Sequence, residues 1–163
     1  MGKGGQQLSP GLSIGILILL IVPLLSSCAV PKIIVLEDKL TAEQHNDLGY
    51  VYEQKGLFDL AEKEYLLALK KRKDWHVPYF NLGNLAFRTG RYAKSEDFFR
   101  SALEHDPGNA DAMNNLANAL LRQDKLPEAR SWIEKALQIR RADAYLDTLK
   151  KIREKETVPG ATP

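Results

Sequence analysis

Apolar residues recur at helical spacing along most of this 163-residue chain, from about Thr41 to Lys155. Between Tyr79 and Pro107 the pattern describes two short amphipathic helices that break at Thr89-Gly90. Neither helix could bury its apolar face alone, and the same pattern returns on both sides of this stretch. Such self-similarity is typical of stacked helix hairpins. We therefore predict an all-α array.

The period of the pattern is 34 residues, set by an apolar residue followed by a small one at Leu48-Gly49, Leu82-Gly83 and Leu116-Ala117. Two further small positions and one bulky position keep the same register. They are Ala61, Ser95 and Ala129; Ala68, Ala102 and Ala136; and Tyr65, Phe99 and Ile133. Small residues let helix backbones approach closely and large ones fill the spaces between, so we expect the repeats to pack in series.

This frame resembles the tetratricopeptide repeat (TPR) family, whose helix-turn-helix repeats have the same length. The resemblance covers roughly two thirds of the chain and implies a TPR solenoid with repeats at 42–75, 76–109 and 110–143. The family's proline near the end of the second helix is present as Pro107, whereas Lys73 and Arg141 occupy the matching positions. Thr41 and Gln44 have capping-box spacing, which predicts that a helix begins directly after Thr41.

A seventh helix, which would cap the solenoid, is predicted at 144–155. There Tyr145, Leu146, Leu149 and Ile152 form one apolar stripe, and the other side is charged. A terminal helix with a polar outer face is what ends a solenoid in water. Residues 156–163 contain two prolines, a glycine and small polar side chains, so we expect a disordered tail.

The first 27 residues differ from the rest in composition. Lys3 is followed by an apolar run from Leu12 to Leu25 and then by Ser26-Ser27-Cys28, which is the layout of a secretory signal. The run is shorter than the about 20 apolar residues that cross a bilayer, and it contains Gly15 and Pro23. We therefore expect residues 1–27 to be a cleaved signal peptide rather than a membrane-spanning helix.

The end of this run, Leu25-Ser26-Ser27-Cys28, resembles the lipobox of bacterial lipoproteins. The resemblance implies that Cys28 carries a lipid and becomes the mature N-terminus, so that its acyl chains hold the protein on a membrane. Ala29, where an aspartate would signal retention at the inner membrane, favours the periplasmic side of the outer membrane. The alternative is an ordinary signal peptide followed by a free cysteine.

Residues 28–41 would then form the lipidated N-terminus and a tether to the first repeat. Pro31 argues against an early helix, and Ile33-Ile34-Val35-Leu36 is a short apolar run. We expect this run to pack along the fold, because short apolar segments near the edge of a domain usually do. A separate binding segment is the alternative.

Composition limits the classes of function. With 44% hydrophobic residues the chain can bury one core. Its formal net charge is +2, and acids and bases are nearly balanced in each predicted repeat, so we expect no basic face for nucleic acid. A single cysteine excludes an internal disulfide framework.

No catalytic constellation is recognisable in the sequence. His45, His76 and His105 are predicted to pack or to cap helices, because no second histidine or cysteine lies at metal-ligand spacing. Glycine-rich phosphate loops, nucleophile elbows and H-E-x-x-H motifs do not occur. We therefore predict that the protein is not an enzyme, and we expect no metal, no small-molecule substrate and no cofactor beyond the lipid on Cys28.

The TPR resemblance implies that the first helix of each repeat lines a concave groove. In this sequence that surface comprises Asn46, Tyr50, Phe80, Asn81, Asn84, Phe87, Arg88, Asn114, Asn115, Asn118, Leu121 and Arg122. Its asparagines recur with the period and can both donate and accept, so they either grip the backbone of an extended peptide or bond to neighbouring helices. The lysine-rich carboxylate clamp of chaperone-binding members is missing, because Asn46 and Glu43 stand where basic residues would be needed.

We therefore predict a TPR lipoprotein of the bacterial cell envelope that recruits a protein or an extended peptide through this groove, as an assembly or scaffold factor. The alternative is an accessory subunit of an envelope enzyme, such as a cysteine peptidase system, that binds outside the groove. In either case the expected partners are a protein and, through the lipid anchor, a membrane.

Overall fold

The computed structural model describes residues 1–2 and 38–157. The chain divides into two compact units, Met1–Asp38 and Lys39–Pro163, and every described helix belongs to the second. The predicted signal peptide, the lipid site at Cys28 and most of the tether lie outside the described residues, as does the tail after Thr157.

The second unit contains seven α-helices, and residues 38–157 contain no strand. In chain order they are α1 Ala42–Gln54, α2 Phe58–Lys71, α3 His76–Arg88, α4 Tyr92–His105, α5 Ala110–Leu121, α6 Leu126–Ile139 and α7 Asp143–Glu156. Consecutive helices pair as the hairpins α1/α2, α3/α4 and α5/α6, and α7 packs on α6 and α5. No helix in the described part of the chain is long and apolar enough to span a membrane. The all-α, seven-helix prediction is confirmed.

Helix starts and turns follow from local chemistry. The Thr41 hydroxyl accepts a hydrogen bond from the Gln44 backbone N–H at 3.2 Å, and the Gln44 side chain accepts from the Thr41 N–H at 2.9 Å, which confirms the capping box. Within each hairpin the turn needs one left-handed residue. Gly56 and Gly90 supply it at φ +73° and +75°, and Asp124 supplies it at φ +63°.

The close approach of the two helices in a hairpin explains why small and bulky residues recur with the 34-residue period. A Cβ added to Gly49 would lie 2.7 Å from the Tyr65 ring, and one added to Gly83 would lie 2.6 Å from the Phe99 ring. In the third hairpin the corresponding positions hold Ala117 and the smaller Ile133, both fully buried. The small residue is therefore a glycine wherever its partner is an aromatic ring.

The apolar core is divided unequally along the stack. A large cluster extends from Phe99 through α5 and α6 to Tyr145, Leu149 and Ile152 of α7. A smaller cluster, built around Tyr65 and Leu82, lies between the first two hairpins. The predicted cap therefore buries most of its apolar stripe, and it completes the core at the C-terminal end.

Ion pairs between hairpins repeat with the sequence period. Glu62 pairs with Arg91 at 2.7 Å, and Glu96 pairs with Lys125 at 2.8 Å. Both acids lie one period apart, and so do both bases. Each pair joins the second helix of one hairpin to the turn within the next, which helps to fix how successive hairpins are set against each other.

Candidate functional site

A pocket lies on the side formed by the first helices of the hairpins, and we call it the central pocket. Its volume is about 730 Å³. The helices α1, α3, α5 and α7 lie side by side here, and α4 contributes the ring of Phe99. The lining residues are Glu53, Asn84, Phe87, Arg88, Phe99, Asn115, Asn118, Leu121, Arg122 and Lys151.

Seven of the twelve residues predicted for the groove line this pocket: Asn84, Phe87, Arg88, Asn115, Asn118, Leu121 and Arg122. The other five do not. Asn46 and Asn114 are each 8% exposed, and their carboxamide oxygens accept hydrogen bonds from Asn81 and Thr148 of neighbouring helices. Phe80 packs edge-on against Phe99 with the ring centroids 5.8 Å apart. Tyr50 is exposed and Asn81 is half-buried, and both lie outside the lining.

The asparagines bond mainly to one another and to the neighbouring first helix. Asn81 donates to the Asn46 side chain at 2.9 Å, joining α3 to α1, and Asn115 donates to Asn84 at 2.9 Å, joining α5 to α3. Asn118 continues the series to Thr148 of α7 at 3.1 Å. The ladder therefore holds the first helices together. Each carboxamide retains further donor or acceptor capacity, which Asn84, Asn115 and Asn118 can turn to the pocket.

A buried carboxylate forms one end of the pocket. Glu53 is 7% exposed and accepts hydrogen bonds from the Tyr65 hydroxyl at 2.9 Å and from Arg88 at 2.5 Å. Burial, together with the hydrogen bond to Glu53, raises the pKa of the Tyr65 hydroxyl. Tyr65 therefore stays a neutral donor, and the positive charge of Arg88 balances the acid.

Three cationic side chains border the pocket, and they differ in whether they already form an ion pair with a carboxylate. Arg88 is bound to Glu53, and Lys151 pairs with Asp147 at 2.6 Å. Arg122 is exposed and stacks on the Tyr92 ring, with its Cζ atom 4.6 Å from the ring centroid. No carboxylate of residues 38–157 forms an ion pair with Arg122. It is therefore the cation that an acidic ligand could engage without displacing a partner.

Three lining residues escaped the sequence analysis: Glu53, Phe99 and Lys151. The period contained a signal for one of them, because Glu53 lies one period before Phe87 and two before Leu121. Extending the register to the first helix would have placed it at the groove. Lys151 lies one period after Ala117, a buried position in the register that faces the second helix, so the period does not predict it as a lining residue. Phe99 had been assigned to the core, and it also lines the pocket, next to Gly83, which has no side chain to cover the ring.

The three histidines are engaged with side chains of neighbouring helices. His45 is buried, and its Nδ1 atom lies 2.7 Å from a Glu64 carboxylate oxygen. His105 stacks on Tyr79 with the ring centroids 5.4 Å apart, and His76 lies 3.7 Å from Asp106. Within the described residues no cluster of histidine, cysteine, aspartate and glutamate could hold a metal ion.

Stacked antiparallel helix hairpins, with a pocket on the side formed by their first helices, define an α-solenoid of the interaction-repeat class. Tetratricopeptide repeat models match residues 43–72 and 86–152. The chain therefore carries tetratricopeptide repeats.

Curated relatives also bear the name of this repeat. The chain is 32% identical to human tetratricopeptide repeat protein 6 over 85 residues, which is 51% of this chain and 16% of the human protein. It is 30% identical to the TPR repeat-containing protein YpiA of Bacillus subtilis (strain 168) over 89 residues, which is 53% of this chain and 21% of YpiA. The chain thus spans about a fifth or less of the length of these two relatives.

Solved structures show the same fold. The first TPR of Spaghetti (RPAP3), bound to the HSP90 peptide SRMEEVD, superposes with a TM-score of 0.70 at 21% identity, covering 74% of this chain and 97% of that one. The second TPR domain of human RPAP3, in complex with the HSP70 peptide SGPTIEEVD, has a TM-score of 0.66 at 19% identity, with 69% and 94% covered. The Arabidopsis OM64 TPR domain has a TM-score of 0.67 at 18% identity, with the same coverage.

Proposed function

We propose that the chain is a protein-interaction module that holds an extended peptide segment of a partner protein in the central pocket. The observation that carries this proposal is that three kinds of group meet there: the carboxamides of Asn84, Asn115 and Asn118, the apolar side chains of Phe87 and Leu121, and Arg122. Carboxamides can bond to a peptide backbone, and a guanidinium binds carboxylates. The best-matched ligand is a peptide with an acidic side chain beside an apolar one.

Peptide binding by similar folds supports this proposal. Both RPAP3 domains are described with acidic peptides of chaperones. In this chain, however, Asn46 is buried and Glu43 is acidic, so we do not propose the lysine-rich clamp that binds a C-terminal carboxylate. An acidic side chain within the peptide, held by Arg122, fits the pocket better.

Binding is proposed as the whole activity of the chain. The acids and bases nearest the pocket are committed to each other: Glu53 to Tyr65 and Arg88, and Lys151 to Asp147. A general acid or base needs a free position within hydrogen-bond reach of a substrate. These pairs serve instead to fix the walls of a binding surface.

The test is a selection from a displayed library of random peptides by the full chain, followed by calorimetry with the enriched peptides. We expect enrichment of acidic-apolar sequences, and we expect Arg122→Glu to weaken binding by about tenfold or more, because a charge-assisted bond becomes a repulsion. Arg122 is preferable to the asparagines as a probe, since each asparagine also joins two helices. Lys94→Glu, an equal charge reversal on the exposed side of α4, is the matched control. Equal loss in both variants, or no enrichment, would contradict the proposal.

We further propose that the module is lipid-anchored through Cys28 in the bacterial cell envelope, facing the periplasm from the outer membrane, where it serves as an assembly or scaffold factor. The support is the apolar run that ends in Leu25-Ser26-Ser27-Cys28. Labelling of cells with radioactive palmitate should mark the wild type and leave Cys28→Ser unlabelled, with the variant released from the membrane fraction. Label retained by Cys28→Ser would disprove the anchor without affecting the peptide-binding proposal.

A further inference from the structure

The outer face of α2 exposes leucines. Leu57 directly before the helix, and Leu60 and Leu66 within it, are 45%, 43% and 46% exposed. Leu66 and Leu67 also form the floor of a shallow depression whose rim consists of charged side chains of α2. Single exposed leucines are ordinary on a protein surface, but several on one helix face mark a contact site.

The equivalent positions of the other hairpins are polar, which makes α2 the exception within its own chain. One period after Leu57, Leu60, Leu66 and Leu67 stand Arg91, Lys94, Arg100 and Ser101, and two periods after them stand Lys125, Glu128, Glu134 and Lys135. Four leucines at positions that otherwise carry polar groups do not follow from the repeat pattern. They therefore require an explanation specific to α2.

The charges on this face are also distinctive. Lys63 and Lys70 are exposed between the leucines, whereas the positions one period later hold Asp97 and Glu104. Two of the acids of α2 are turned to other helices, because Glu62 pairs with Arg91 and Glu64 contacts His45. The third acid of α2, Asp59, is exposed and lies beside these residues. The outward face thus combines leucines with two lysines and one exposed acid and keeps a positive net charge, which is typical of amphipathic helices that lie on anionic membranes.

We infer that the outer face of α2 rests on an anionic lipid surface, with its leucines entering the headgroup region and Lys63 and Lys70 contacting lipid phosphates. Charge complementarity selects this occupant. The inference goes beyond the peptide-binding proposal, because α2 contributes no side chain to the central pocket.

The experiment places a photoreactive p-benzoylphenylalanine at position 66 of the full chain and, as matched control, at position 134, which lies two periods later and is occupied by Glu134. Each protein is mixed with vesicles of phosphatidylglycerol and phosphatidylethanolamine, or with vesicles of phosphatidylcholine alone, and is then irradiated. We expect lipid adducts at position 66 on the anionic vesicles, several-fold fewer on phosphatidylcholine, and few at position 134. The variants Lys63→Glu and Lys70→Glu should each lower the adduct yield at position 66 by about fivefold, at unchanged helicity.

Several results would overturn the inference. Equal lipid yields at positions 66 and 134 would show that the N-terminal segment, and not α2, brings the chain to the vesicle. A crosslink from position 66 to a second copy would show a dimer interface, and one within the chain to residues 33–36 would show that the chain covers its own leucines. Adducts insensitive to both lysine substitutions would exclude the role of charge.

Discussion

The two ends of the helical stack are finished in different ways. At the C-terminal end, α7 covers the third hairpin and buries Tyr145, Leu149 and Ile152. At the N-terminal end, the first hairpin has no preceding hairpin among the described residues, and Val51 is 44% exposed although its period equivalents Leu85 and Ala119 are fully buried. The same repeat position is therefore core or surface according to whether another hairpin precedes it. Burial in a solenoid is a property of the junction between repeats and not of the repeat.

The interiors of the two ends also differ. Around α1, polar contacts supplement the apolar core: Glu53 with Tyr65 and Arg88, and His45 with Glu64. Around α5 the corresponding side chains are apolar, since Leu121 replaces Glu53 and Ile133 replaces Tyr65. At these repeat positions the N-terminal end thus uses specific hydrogen bonds, and the C-terminal end uses apolar packing.

Truncating one side chain to alanine at each end should give the largest difference in the free energy of unfolding. Ile152→Ala removes a fully buried side chain from the C-terminal core and should lower the free energy of unfolding by about 2–5 kcal/mol. Leu66→Ala removes an exposed leucine at the other end and should change it by less than about 0.5 kcal/mol. Urea unfolding of the full chain measures both. Similar losses in the two variants would mean that the N-terminal end is covered.

Replacing Glu53, the buried acid at the N-terminal end, should have the next largest effect on the free energy of unfolding. Glu53→Leu installs the residue found two periods later but leaves the buried Tyr65 hydroxyl without its acceptor, so it should cost about 1–3 kcal/mol. Adding Tyr65→Phe should recover most of that loss, since removing both partners of a hydrogen bond is far less costly than removing one. A double variant as unstable as Glu53→Leu would show that the pair is not what stabilises this junction.

A second buried acid, at the junction of the second and third hairpins, should make stability depend on pH. Burial favours the neutral acid, but hydrogen bonds from Lys125, Arg100 and Gln123 lower the pKa of Glu96 below its usual range. Between its folded and unfolded pKa values the unfolded chain binds more protons, so this contribution is fully present at neutral pH and is lost as the pH falls below about 4.5.

The variant Glu96→Gln isolates this contribution. Its free energy of unfolding should be lower than that of the wild type at pH 7, and the difference should shrink on acidification through the range where Glu96 becomes protonated. Denaturant titrations at a series of pH values measure the difference. A gap between the two proteins that stays constant down to pH 3 would contradict the role of the charged form, as about pH 3 lies below the usual carboxylate range.

A substitution in the turn within the third hairpin should have the smallest effect on the stability of the chain. Asp124 adopts φ +63° where the first two hairpins have glycine, so Asp124→Gly should relieve backbone strain and stabilise the chain by about 0.5–1 kcal/mol. The loss of its exposed contact with Lys155 offsets little of this gain. The reciprocal change, Gly90→Asp, should destabilise the chain by a similar amount. A melting temperature that falls in Asp124→Gly would mean that the contact with Lys155 outweighs the strain.

How much of the site could be predicted differs from residue to residue. Seven of the predicted groove residues line the central pocket because their helix face follows from the period. Asn46 and Asn114 share that face in the pattern but lie at its edge, where the neighbouring first helix covers them. A difference of one helix position, about 100° around the axis, decides between lining and burial, and apolar spacing does not resolve it for a polar residue.

The sequence by itself determined the features that depend on local chemistry and on the period: seven helices, the Thr41 cap, the close contacts of Gly49 and Gly83, and a terminal helix that ends the stack. Each depends on residues within one hairpin or on positions that repeat. Only the tertiary structure decided that Glu53 is buried against Tyr65 and Arg88, that the asparagines bond across helices, and that Arg122 lacks an acidic partner among the described residues. These contacts depend on rotamers and on the spacing of helices whose residues lie 12 to 35 positions apart in sequence, and a hydrophobic pattern does not contain that information.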